Sequence, residues 1–214
     1  MGRTLAAMSI PDLLRRHRLV PVVVLDDATA AEPLADALAT GGLPVAEVTF
    51  RTPAAAESIA RMAAHGGVTV GAGTVLTAEQ VDIAVGAGAR FVVSPGFSPA
   101  VVRRCREHGV TALPGAVTAT EVMAALAEGV DTLKFFPAGT SGGAPAVAAL
   151  SAPFGQVSFV PTGGIDATSA ADYLALPAVL AVGGSWMVPR AAIRAGEFDR
   201  ITDLVTASVE AVAH

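Results

Sequence analysis

Eight short runs of β-branched and apolar residues recur along the 214-residue chain, with starts 20 to 24 residues apart. They begin at Pro21 (PVVVL), Val45 (VAEVTF), Val68 (VTVGAGTV), Phe91 (FVVSP), Thr111 (TALPGAV), Thr132 (TLKFFPA), Gln156 (QVSFVPTGG) and Val179 (VLAVGGSWM). The runs lack the strict apolar–polar alternation of a strand with one wet face, so they read as strands buried on both sides. Each is followed by an Ala-rich segment of helical length, and a helix between two strands returns the chain so that the strands lie parallel.

The helices announce their ends. Thr52-Pro53 and Ser98-Pro99 read as caps followed by proline at the first helical position, and Thr77 with Gln80 and Thr118 with Glu121 have capping-box spacing. Stops fall at Gly66, Gly109 and Gly129. An extra helix is expected over "SIPDLLRRHRLV" before the first strand, and the tail from Phe198 is amphipathic through Ile201, Leu204, Val205 and Val212. Eight strand–helix units predict an α/β chain folded as one (β/α)8 TIM barrel over residues 1–214, with an added N-terminal helix. Such barrels run to about 250 residues, so the connections here are short. A doubly wound open sheet is the alternative, but "GAGTVL" has no third glycine and no acidic residue about 20 positions on, as a dinucleotide fingerprint requires.

Composition narrows the class. With 52% hydrophobic and 15% charged residues, a formal charge of -5 and a pI near 5.3, the chain is expected to be globular, with ample length for a core. Its thirteen arginines are scattered apart from pairs such as Arg15-Arg16 and Arg103-Arg104, which is not a nucleic-acid surface. No apolar run approaches the roughly 20 residues of a membrane helix, and "MGRTLAAMSI" is too short for a signal peptide's apolar core, so a cytoplasmic protein with no membrane contact is expected. The single cysteine, Cys105, excludes an internal disulfide and reads as a structural thiol.

One basic residue breaks the pattern. Lys134 is the only lysine, and it stands between Leu133 and Phe135 in the sixth strand. A stem packed on apolar neighbours with its amine reaching water is the ordinary explanation. The other is chemical: burial disfavours an ammonium and releases the free amine that attacks a carbonyl, which arginine, always protonated, does not provide. Barrel enzymes gather their reactive groups at the carboxyl ends of strands. Those ends carry "EVTFRT" with Glu47 and Arg51, "GAGTV" with Thr74, "SPGF", "PGAV", Lys134, "PTGG" and "VGGSW". A carboxylate at Glu47, between apolar residues, needs a partner. Either it pairs with Arg51, or it faces the barrel axis near Lys134 and moves protons. Glycine pairs after strands seven and eight fit tight turns. Together at those positions they also fit a phosphate held by backbone N–H groups. With no second lysine to meet such a phosphate, the N–H groups and the Ser185 hydroxyl are expected to do most of the binding. The histidines, His17, His65, His108 and His214, avoid the strand ends, and no metal is expected.

With "EVTFRT", "GAGTVL", "FVVSPGF", "PGAVTATEV", "LKFFPA", "PTGGI" and "VGGSWMVP" in this order, the sequence resembles the 2-keto-3-deoxy-6-phosphogluconate (KDPG) aldolase family, whose members also act on 4-hydroxy-2-oxoglutarate (KHG). The resemblance runs from about Val20 to Ala211. It implies a class I aldolase without a cofactor, a homotrimer of barrels, that cleaves a small keto-acid phosphate to pyruvate and glyceraldehyde 3-phosphate. By position it makes Lys134 the Schiff-base lysine and Glu47 the general acid/base. It places Arg51, Thr74, Pro95 and Phe136 on the pyruvate side, and Thr162, Gly163, Gly164, Gly184 and Ser185 on the distal-hydroxyl and phosphate side. "PGAVT" departs from the family's more polar "PGIST"-like turn, which bears on the contacts after strand five. A sugar-phosphate isomerase or epimerase, with Glu47 as base, and a non-catalytic phosphosugar-binding barrel are the rival readings.

Overall fold

The computed structural model describes residues 8–213; most of the N-terminal segment excluded as a signal peptide, and His214, lie outside them. The described residues open with α1 (Ile10–His17), started by a Ser9 side chain that accepts from the Asp12 N–H. Eight strands follow: β1 (Leu19–Val23), β2 (Val45–Thr49), β3 (Thr69–Gly73), β4 (Phe91–Val93), β5 (Thr111–Leu113), β6 (Thr132–Phe135), β7 (Ser158–Pro161) and β8 (Val182–Gly184). Between and after them run α2 (Ala31–Thr40), α3 (Ala55–His65), α4 (Ala78–Gly86), α5 (Pro99–Glu107), α6 (Ala119–Ala127), α7 (Gly143–Ser151), α8 (Ala170–Leu174), α9 (Arg190–Arg194) and α10 (Phe198–Val212).

All the strand pairs are parallel. Six strands form one continuous ladder in the order β5-β4-β3-β2-β1-β8, and β6 pairs with β7. Two seams close the ring. Gly115 bridges Lys134 between the end of β5 and β6, and Phe159 and Thr162 bridge Val179 and Gly183 between β7 and β8. The seam between β5 and β6 is narrow because β5 leaves the sheet at Pro114, whose nitrogen has no hydrogen to donate, while its carbonyl still accepts from the Lys134 N–H at 2.9 Å. The result is the expected (β/α)8 barrel with an added N-terminal helix. A closed ring of eight sets β2 opposite β6, so side chains that point inward from these two strands meet across the bore.

The predicted caps at Ser98 and Thr118 form, the latter as a complete capping box. Thr77 accepts from the Gln80 N–H, but the Gln80 side chain reaches back one residue further, to the Leu76 N–H, at 2.6 Å. The Thr52-Pro53 cap does not form. Helix α3 begins at Ala55, and the Thr52 hydroxyl donates instead to the Leu25 carbonyl, tying the turn after β2 to the one after β1. The predicted stops at Gly66, Gly109 and Gly129 all take positive φ. The first strand starts two residues before the expected Pro21, and the eighth starts three after Val179, where the pairing of Leu19 with Val182 sets both ends. Ile201 and Val205 of α10 are buried in the core, as its apolar stripe predicts.

Candidate active site

Lys134 and Glu47 meet inside the bore. Glu47 stands in register with Val22 of β1 and Gly71 of β3, and Lys134 with Val160 of β7, so the pair bridges opposite walls of the barrel. Lys134 Nζ lies 3.2 Å from Glu47 Oε1 and 3.5 Å from Oε2, with both residues buried. Val20, Phe91, Leu113 and Val160 surround the pair. In such surroundings either charge alone is costly, and each group answers the other. Glu47 therefore takes the axial position and not the ion pair with Arg51, which forms no ion pair among the described residues. The Lys134 amine also lies 5.1 Å from the Phe136 ring centroid, within cation–π range for its charged form.

The space for the Glu47 carboxylate comes from Gly73. A methyl group there would stand 2.0 Å from Oε1 and 2.6 Å from the carboxyl carbon. Only glycine on the neighbouring strand leaves the carboxylate where it is.

Above the amine opens a cavity of about 210 Å³ at the carboxyl ends of the strands. Lys134 and Phe136 of the β6 end contribute to it, with Arg51 after β2. The loop after β7 supplies Thr162, Gly163, Gly164 and Ile165, and β8 with its following turn supplies Gly184 and Ser185. Gly163 and Gly164 both adopt left-handed backbone, with φ of 94° and 74°, a conformation side chains disfavour. The N–H groups of Gly164, Ile165 and Ser185 make no hydrogen bond to another described residue, and neither does the Ser185 hydroxyl. These donors border the cavity and suit an anion.

Of the predicted site residues, Lys134, Arg51, Phe136, Thr162, Gly163, Gly164, Gly184 and Ser185 line this cavity. Glu47 lies beneath it, in contact with the amine. Thr74 and Pro95 sit just past β3 and β4 on the same rim but outside the cavity lining. The Pro95 carbonyl packs instead where a side chain on Gly115 would go, 2.1 Å from such a methyl. In the turn after β5, the Val117 and Thr118 N–H groups both donate to Glu121, each at 2.9 Å, so the cap of α6 occupies them.

Sequence reasoning missed Val22, Val24, Ile165, Val188 and Arg190, which also line the cavity. Arg190 adds a guanidinium to a rim where backbone N–H groups and the Ser185 hydroxyl were expected to do most of the phosphate binding. The signal was its place immediately after "GGSWMVP", at the rim end of the eighth strand. Its guanidinium pairs with Asp26, which follows β1. Hydrogen bonds from Arg190 and then Arg194 hold the Asp26 carboxyl well below the usual carboxylate range.

The remaining titratable groups lie elsewhere. His65 pairs with Asp36 at 2.9 Å and His108 with Asp82 at 2.6 Å, while His17 is on α1. No three His, Cys, Asp or Glu side chains converge as metal ligands among the described residues. Cys105 is buried in α5, and burial pushes its thiol up to about 11. No described helix is long and apolar enough to cross a membrane.

Comparison with known proteins bears on this geometry. The family model described as "KDPG and KHG aldolase" matches residues 10–204. The 2-dehydro-3-deoxy-phosphogluconate aldolase of Treponema pallidum is 50% identical over 96% of this chain and 98% of its own length. A crystal structure of the KDPG aldolase of Zymomonas mobilis with 3-phosphoglycerate superposes with a TM-score of 0.89 at 44% identity, over 95% of this chain and 96% of that one. The Legionella pneumophila KDPG aldolase, with pyruvate captured at low pH as a covalent carbinolamine, also gives 0.89, at 39% identity over 92% and 97% of the two chains.

Proposed function

The chain belongs to the KDPG and KHG aldolase family, and from that premise we propose that Lys134 is the amine that attacks the ketone of a 2-keto acid and Glu47 the group that moves its protons. The reaction is a class I, carbon–carbon-lyase cleavage of KDPG to pyruvate and glyceraldehyde 3-phosphate, with KHG as a second substrate giving pyruvate and glyoxylate. The observation that carries it is the lone lysine: its amine stands at the floor of an anion-suited cavity, 3.2 Å from a buried carboxylate. The pyruvate carbinolamine captured in the Legionella relative supports the same first step here.

The chemistry runs through that pair. The free amine of Lys134 adds to the C2 ketone to give a carbinolamine, and Glu47 protonates the departing hydroxyl, leaving a protonated imine. The C4 hydroxyl proton leaves to Glu47, directly or through water, and the C3–C4 bond breaks. Its electron pair moves into the imine, forming an enamine while the aldehyde departs. Protonation at C3 and hydrolysis by water then release pyruvate and regenerate the lysine. Arg51 and Phe136 serve the pyruvate end, and Thr162, Gly163, Gly164, Gly184 and Ser185 serve the distal hydroxyl and phosphate. Thr74 and Pro95 belong to the rim beside the pyruvate end. The homotrimer implied by the resemblance belongs to the same reading. Light scattering at three times the chain mass tests it.

Borohydride reduction in the presence of pyruvate tests the chemistry. One adduct per chain is expected, mapping to Lys134, and Lys134→Arg should abolish both adduct and turnover. An unchanged intact mass, or substantial turnover by Lys134→Arg, would return the site to acid–base isomerisation with Glu47 alone.

A further inference from the structure

Two arginines line the cavity around Lys134: Arg51 after β2 and Arg190 after β8. Arg51 forms no ion pair among the described residues, whereas Arg190 is fixed. Its Nε donates to Asp26 Oδ2 at 2.9 Å and its Nη2 donates to Asp26 Oδ1, a two-point contact that sets the plane of the guanidinium. Arg194 Nε donates to the same Oδ2 at 2.6 Å. Two guanidiniums share one carboxylate, so the cluster keeps an excess of positive charge. Arg190 Nη1 has no hydrogen bond to another described residue. Arg190 borders the same cavity as Gly163, Gly164, Gly184 and Ser185, so the cation and the free N–H groups that suit an anion open onto one space.

We propose that Arg190, oriented by Asp26, is the residue that reads the phosphate and sets the preference for phosphorylated over unphosphorylated keto acids. The inference rests on the aldolase reading above. KDPG carries a carboxylate beside its ketone and a phosphate on C6, whereas KHG carries its second anion, a carboxylate, one carbon nearer the ketone; of the two guanidiniums that line the cavity, Arg190 is assigned to the more distant group. Asp26 acts through Arg190 and touches no substrate: it is a positioning residue, reaching from the loop after β1 to the one after β8. An arginine fork bound on one edge by a carboxylate has its other edge left for a second oxyanion, which a lysine does not reproduce.

The test measures the ratio of kcat/KM for KDPG to that for KHG in the full-length enzyme, and separately the binding of glycerol 3-phosphate by calorimetry. Arg190→Ala should lower the ratio by about ten- to a hundredfold, the scale of hydrogen bonds to a charged group. It should weaken glycerol 3-phosphate by a similar factor. Arg190→Lys should recover part of both. Asp26→Asn, which keeps the shape of the side chain, should lower the ratio several-fold, and it carries the test if Arg190→Ala does not fold. Equal losses on both substrates, or an unchanged ratio, would overturn the proposal and leave the Asp26–Arg190 pair as a tie between loops. Glycerol 3-phosphate has no ketone, so its binding is read independently of the lysine. Failure of borohydride trapping alone would count against the aldolase reading, and unaltered glycerol 3-phosphate binding in Arg190→Ala against this one.

Discussion

Glu47 owes its position to a side chain that is absent from the neighbouring strand. Gly73 does not have positive φ, so its backbone accepts alanine, but the added methyl would meet Oε1 at 2.0 Å and the Glu47 Cγ at 2.8 Å. The carboxylate would have to turn away from Lys134. Gly73→Ala should therefore lower turnover at least about tenfold, since a small misplacement of a proton-transfer group is enough to do so. Its stability should fall by only about 1–3 kcal/mol, as for other overpacked cores. Wild-type turnover in a folded Gly73→Ala enzyme would show that the 3.2 Å contact between Lys134 and Glu47 is not needed for the chemistry. Glu47→Gln probes the proton itself, because the amide keeps the shape and loses the shuttle. Turnover should drop by roughly 10² to 10⁴. A loss of less than tenfold would leave Glu47 as the structural partner of a buried lysine.

Helix α6 depends on its first turn. The Glu121 N–H donates to Thr118 Oγ1 at 3.3 Å, while the Glu121 carboxylate accepts from the Thr118 N–H at 2.9 Å. Removing the hydroxyl leaves an N–H at the helix start without its partner, so Thr118→Ala should cost about 1 kcal/mol in urea unfolding with an unchanged m value. Thr118→Ser should cost less, and equal stability in all three proteins would show that the box contributes nothing. The caps also explain which element boundaries were readable. At Thr118 and Ser98 the cap is a local hydrogen bond between residues three apart, so the sequence carries it. At Thr52 the same residue type is drawn away by the Leu25 carbonyl from another strand end, a contact that exists only once β1 and β2 are paired.

At the scale of the whole barrel, order around the ring converts sequence distance into contact. Glu47 and Lys134 are 87 residues apart, and no spacing rule joins them. The count of eight strand units does, because it puts the second strand across from the sixth. The same closure brings the loop after β1 beside the loop after β8. That Asp26 and Arg190 would meet there was not legible, since it depends on the reach of two side chains and not on strand order. Closure also governs how the molecule opens. Its core is one contiguous cluster from Ile10 of α1 to Val205 of α10, and Cys105 belongs to it, fully buried on α5. A thiolate must form and meet solvent to be alkylated, and burial pushes this thiol up to about 11. If α5 opens only with the rest of the barrel, iodoacetamide at pH 8 should label native Cys105 at least about a thousandfold more slowly than the unfolded chain, given a typical stability of roughly 5 kcal/mol or more. The rate should rise with urea along the slope of global unfolding. Labelling that is rapid, or indifferent to low urea, would show instead that α5 detaches from an otherwise closed barrel.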